Sequence, residues 1–167
     1  LPALTQEKVD AALNRFSDMK KHWSRNYVGK LVELEIVSGL PDGRFRPDDT
    51  VKVDEFIKMT VCAMGFKPGL GKPYWAQTYI DTALEEGIVR EGEFTDYRRA
   101  ISRQEAARIS VLAAMLKEPA PDPGLDELAK ANIRDYAKAG DTYKQCLITA
   151  FRLGLMCGDQ DGFFKPR

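Results

Sequence analysis

The sequence predicts an all-α fold of three consecutive helix-loop-helix units, and three observations carry that reading. One apolar pattern recurs three times at fixed offsets. A glycine-containing turn closes each copy. A second apolar run at helical spacing follows in two of the three copies.

The first unit sets Tyr27, Val28, Leu31 and Ile36 behind Trp23; the second sets Tyr79, Ile80, Ala83 and Ile88 at the same offsets behind Trp75. The third keeps the offsets in Cys146, Leu147, Ala150 and Leu155, with Thr142 at the tryptophan's place and Tyr143 the nearest aromatic. Offsets of four, five and eight lie on one stripe of an α-helix, so each unit opens with an amphipathic helix that needs a partner surface.

The turns align as well. Ile36-Val-Ser-Gly39-Leu-Pro-Asp-Gly43-Arg-Phe45-Arg-Pro47 matches Leu155-Met-Cys-Gly158-Asp-Gln-Asp-Gly162-Phe-Phe164-Lys-Pro166 without a gap. Asp-Gly is turn chemistry, and the phenylalanine two residues later is placed to plug a core. The second unit shortens the turn to Ile88-Val-Arg-Glu-Gly92-Glu-Phe94.

The second helices come from Glu55, Phe56, Ile57, Met59, Val61, Cys62 and Met64, and from Ala106, Ile109, Val111, Leu112, Ala113 and Leu116. Ser102 with Glu105 forms a capping box for the latter, whereas Lys52 stands where the former needs a cap. The units span 16–66, 72–117 and 126–167, with a proline-rich connector at 118–125 and a helical pattern from Asp126 to about Tyr136. The third second helix is missing. A leading helix over 4–15, capped by Thr5, is expected to pack on the central axis in its stead.

Lysine plus arginine equals aspartate plus glutamate at 25 each, so the whole chain has no field to draw it onto nucleic acid or an anionic membrane. No apolar stretch is long enough to span a bilayer. The start at Leu1 reads as that of a processed or excised piece. Cys62 and Cys146 fall in apolar helical patterns and read as buried thiols; Cys157 is left unplaced, and its pairing with Cys146 has no support in the spacing.

An aromatic-led helix, an Asp-Gly-x-Phe-x-Pro turn and Ile101-Ser-Arg103-Gln-Glu105 opening a second helix together resemble the S-layer homology family, from Phe16-Ser-Asp18 to Arg167. The resemblance implies a pseudo-threefold bundle whose second helices meet on a common axis. It also implies a secreted wall or S-layer location, and non-covalent binding of acidic, pyruvylated secondary cell-wall polysaccharide of Gram-positive bacteria in grooves between prongs. The effector domain of the parent protein would then lie elsewhere.

The family's groove arginine maps onto Arg103, beside Ser102. The equivalent position in the first unit is Val53, with Lys52 one residue early, and the leading helix has Gln6 there. The expected carbohydrate contacts are therefore Arg103 and Ser102 with the turn at Gly158 and Asp159, then Lys52 at a second groove. An arginine in a first helical turn lies beside free N–H groups and the positive end of the dipole, and a charge-assisted bond to a carboxylate there contributes about 1.5 to 3 kcal/mol. A salt-bridged surface arginine is the plainer alternative.

Trp23 and Trp75 read first as core residues, with a sugar-stacking face as the alternative. Asp18 is expected to cap the following helix, and His22 to cap or pack. Asp159, Asp161 and Gly162 suggest a calcium loop only faintly, since Phe163 and Phe164 end the run of oxygen ligands; no metal or cofactor is expected. No nucleophile, base and charge stabiliser assemble, so no catalysis is expected. The rival reading is a module of the same family that contacts protein, without sugar binding.

Overall fold

Each opening helix buries its stripe against the closing helix of the unit before it. The computed structural model describes residues 4–167. Among them α1 (Gln6–Leu13) packs on α2 (Arg25–Glu33), α3 (Val53–Ala63) on α4 (Gln77–Glu85), and α5 (Arg103–Met115) on α7 (Asp141–Arg152). The short α6 (Asp126–Ala131) leans on α7, and α3 touches α5. The described residues hold no β-strand, only an isolated bridge between Lys52 and Ala100. The fold is all-α, and its two-helix prongs straddle the boundaries of the sequence units.

Three cores follow from this pairing. Val9, Leu13, Phe16, Met19, Val28 and Val32 close the first prong. Val53, Ile57, Val61, Ile80, Ile88 and Ile109 lie at the centre of the middle one, which takes in the inner face of α5. Ala107, Val111, Ile133, Leu147 and Phe164 form the third. The leading helix docks on α2 as α3 docks on α4 and α5 on α7. Its N-cap is as expected, with Lys8 N–H donating to Thr5 Oγ1.

Several local expectations need correction. Trp23 is 81% exposed and not core: α1 covers the side of α2 that carries Val28 and Val32, five and nine residues on, which lies well round the helix from Trp23. Trp75 is half-buried against the middle core. Cys62 and Cys146 are half-buried thiols, Cys157 is exposed, and all three are free. The pattern from Asp126 to Tyr136 breaks after Ala131 and resumes as a 3₁₀ turn at Tyr136–Lys138.

Asp18 caps no helix. Its carboxylate accepts from the backbone N–H groups of Phe45 (3.0 Å) and Arg46 (2.7 Å), and so clamps the first turn. Asp135 does the same in the third, accepting from Phe164 (2.7 Å) and Lys165 (2.8 Å). Arg46 and Lys165 then both adopt a left-handed backbone, with φ of 58° and 51°, which brings each chain end out of the clamp in one way. In the middle unit Leu70 stands at Asp18's offset from the tryptophan, and among the described residues no aspartate clamps the shortened turn.

The clamp makes two predictions. Phe164 is fully buried, so Phe164→Ala should cost about 3 to 5 kcal/mol in urea unfolding. For Asp18, partial burial opposes ionisation, but the Phe45 and Arg46 N–H groups outweigh it and hold the carboxyl below the usual range. A lowered folded pKa stabilises above the unfolded value, ~4, and that stabilisation disappears as pH falls through the folded value. Asp18→Asn should therefore melt below the parent at pH 7, with the gap narrowing in acid; a gap constant down to pH ~2.5 would reject the clamp as a charged device.

Candidate functional site

The turn clamped by Asp18 forms one wall of a cleft of about 540 Å³ between the first and middle prongs. Val37, Ser38, Gly39 and Phe45 supply that wall; the first turns of α3 supply Lys52, Glu55 and Lys58; Leu70 and Trp75 close the far side. Gly39 has φ of 71°, and a side chain there would strike the Phe16 ring, so only glycine lets the turn lie this close to the core.

Helix α3 starts as it does because Glu55 reaches back to accept the Lys52 N–H at 2.9 Å, which replaces the missing cap. Val53, at the position of the family's arginine, is fully buried in the middle core and offers nothing to a ligand. Asp54, also buried, accepts from the Tyr74 hydroxyl, and Arg98 stacks on the Tyr74 ring at 4.7 Å. Burial and then the Asp54 carboxylate push that hydroxyl up to about 12, so it stays a proton donor. This anchoring fixes Tyr74, and with it the neighbouring Trp75 ring at 6.2 Å.

Arg103 reaches the third turn and does not point into open solvent. Its Nε donates to the Phe164 carbonyl at 2.7 Å and Nη2 to the Cys157 carbonyl at 3.2 Å, with the guanidinium 5.8 Å from the Phe164 ring centre. Two of its donor nitrogens thus hold the turn, and Nη1 has no partner among the described residues. Gly158 and Asp159 sit in the same turn. Gly158 packs directly on Gly162, while Asp159 accepts from the N–H groups of Asp161 and Phe163 and pairs with Lys165 at 2.9 Å. The Lys165 ammonium, then the Phe163 N–H, draws the Asp159 carboxyl below its usual range.

Ser102 is committed likewise. Its N–H and hydroxyl both donate to Glu105 Oε2, and Arg99 grips the same carboxylate through two nitrogens. Burial resists ionisation of Glu105, but Arg99 and Ser102 prevail and lower it. The structure thus brings Lys52 and Trp75 into one open cleft and gathers Arg103, Ser102, Gly158 and Asp159 into tightly bonded structure at the third prong. Trp23 lines neither; it lies beside His22, whose ring nitrogens meet Ser24 Oγ (2.7 Å) and Asp48 (3.1 Å). Sequence reasoning overlooked Lys58 and Arg46 as cleft residues. Only the fold shows which turn lies over α3.

The described residues form an all-α fold with an open cleft between helical prongs, and none of their helices is long and apolar enough to cross a membrane. Residues 15–57 match the S-layer homology domain. It is 30% identical over 162 residues to an endoglucanase of Bacillus sp. (strain KSM-635), covering 91% of this chain and 17% of that protein. It is 35% identical over 78 residues to the middle cell wall protein of Brevibacillus brevis, covering 46% of this chain and 7% of the relative. It is 26% identical over 118 residues to a cellulosome-anchoring protein of Acetivibrio thermocellus, covering 61% and 26%. The chain therefore spans about a quarter or less of each of these relatives.

Removing the Arg103 side chain should free the third turn. For Arg103→Ala, amide exchange at Gly162, Phe163 and Phe164 is expected to accelerate while α3 and α4 keep their protection. Unchanged exchange in the turn would show that the two carbonyl contacts do not hold it.

Proposed function

We propose that this chain anchors an exported protein to the cell surface by holding an acidic, pyruvylated wall polysaccharide in the cleft between its first and middle prongs, without chemistry of its own. One observation carries the reading. The cleft stays open while its rim presents Lys52, Lys58 and Arg46 together with the half-buried Trp75. An indole face with cations beside it matches the two surfaces of an acidic sugar, an apolar ring face and an anionic substituent. Arg103, with Nη1 to spare above the Gly158 turn, adds a second contact for a neighbouring residue of the polymer.

The relatives support anchoring in name. One is a cellulosome-anchoring protein, others a cell surface glycoprotein and a middle cell wall protein. The enzymes among them, an endoglucanase and an amylopullulanase, match this chain over 17% and 8% of their lengths, which suits a module that carries something else. Nucleic acid and membrane insertion play no part in this reading.

Sedimentation with purified wall polysaccharide tests it. The parent chain should co-sediment, Trp75→Ala and Lys52→Ala should each bind about tenfold more weakly, and Arg103→Ala should bind less weakly than either. Equal sedimentation of parent and both cleft variants would reject the cleft. No sedimentation of the parent would leave a protein-contacting scaffold. New reducing ends released from the polymer would show catalysis.

A further inference from the structure

The geometry points to Lys58 as the carboxylate-selecting residue of the open cleft, because the second cleft already holds its own carboxylate, Glu93, at the matching place. This deepens the proposed function and rests on its reading of the first cleft as the binding site.

The junction of the middle and third prongs is built like the first cleft but is filled by the protein's own side chains, and in that sense is the second cleft. Helices α3 and α5 start in one manner, with Lys52 N–H donating to Glu55 at 2.9 Å and Ser102 N–H to Glu105 at 2.8 Å, so α5 repeats α3 fifty residues later. In that register Lys58 corresponds to Arg108. Over α3 lies the first turn, ending in Arg44-Phe45; over α5 lies the shortened turn, ending in Glu93-Phe94. Trp75 borders the first cleft, and Tyr143, from the start of α7, borders the second.

The occupants differ. In the second cleft the shorter turn draws Glu93 onto Arg108, with Oε1 and Nε 2.9 Å apart and side chains only 6% and 8% exposed. The Nε–H is not directed at that oxygen, so the contact is ionic and not a hydrogen bond. The other Glu93 oxygen accepts the Arg90 N–H at 2.9 Å, and Tyr143 presents its ring to the guanidinium at 5.9 Å. A carboxylate with a cation below it and an aromatic ring beside it is thus an integral part of that cleft.

In the first cleft the residue before the phenylalanine is Arg44, which turns outward to pair with Asp42 at 2.8 Å. No carboxylate comes down onto Lys58. Among the described residues neither Lys58 nor Lys52 forms an ion pair, and Arg46 is shared with Asp42 and Asp49. The cleft then counts Arg46, Lys52 and Lys58 against Asp49 and Glu55, one positive charge in excess. A sugar carboxylate entering beside Trp75 takes the place over Lys58 that Glu93 takes over Arg108. A buried cation is costly without its partner, so the second cleft is closed to ligand for as long as Glu93 fills it.

Titrations of the labelled whole chain by NMR, with methyl glucuronide and with methyl glucoside, test Lys58. The glucuronide should bind at least about tenfold more tightly, and Lys58→Met should remove that preference while leaving the weak glucoside shifts at Trp75. Equal binding of the two sugars, or an intact preference in the variant, would overturn the assignment. The second cleft has its own test. Glu93→Gly should lower the melting temperature, and sodium acetate should restore part of it where sodium chloride at equal ionic strength does not. Should the variant fail to fold, refolding yield in the two salts gives the same comparison; equal effects of the two salts would show that Arg108 receives no carboxylate. Glucuronide preference without wall sedimentation would reject anchoring and keep this subsite, and the reverse would reject the subsite alone.

Discussion

The structure depends on one constraint: no unit of this chain can bury its own opening helix. A nine-residue amphipathic segment such as α2 or α4 is too short to hold itself as a helix in water, so its stripe must find a partner. The partner is always the closing helix of the preceding unit, and for α2 it is α1. The chain is therefore tied together across every repeat boundary, with α3 and α5 each serving the following prong. The clefts are a by-product of that arrangement. A turn belongs to one prong, the helix start beneath it to the next, and the space between them is available to a ligand.

The recurrence led by Trp23, Trp75 and Thr142 made the helices, the turns and the all-α class legible in the sequence, because offsets of four, five and eight have one common geometric cause. Thr5, Ser102 and Glu105 were legible for the same reason: capping is local chemistry. The exposure of Trp23 was not. A stripe defined by offsets spans more than a right angle, and which edge of it is covered depends on where α1 docks, a long-range fact. Asp18 was misplaced on similar grounds. An aspartate ahead of a helix looks like a cap, yet its partners lie at Phe45 and Arg46, across the turn.

The site shows the same division more sharply. Arg103 could be singled out as a cation in a first helical turn, and it does reach the third prong, but two of its nitrogens are taken by the Phe164 and Cys157 carbonyls. Whether a polar side chain is free for a ligand or is holding a turn together is decided by partners far along the chain. Lys52 looked the weaker candidate because Val53 beside it had lost the arginine. Burying Val53 in the middle core removes a guanidinium from that rim but leaves the cleft itself unfilled, so the remaining cations there have room for an external anion.

Equivalent positions in a repeat protein need not share a role, and the paired positions here have diverged in opposite directions. Shortening the middle turn brings Glu93 onto Arg108 in a buried ion pair that fastens the second turn to α5. Keeping the first turn long leaves α3 with lysines that form no ion pair among the described residues, a modest loss for groups of this exposure. Tight internal pairing and external binding compete for the same charges. The copies of a single motif thus differ at their junctions: the one at α4 and α5 is fastened from within by Glu93 and Arg108, whereas at the one between α2 and α3 neither Lys52 nor Lys58 forms an ion pair among the described residues.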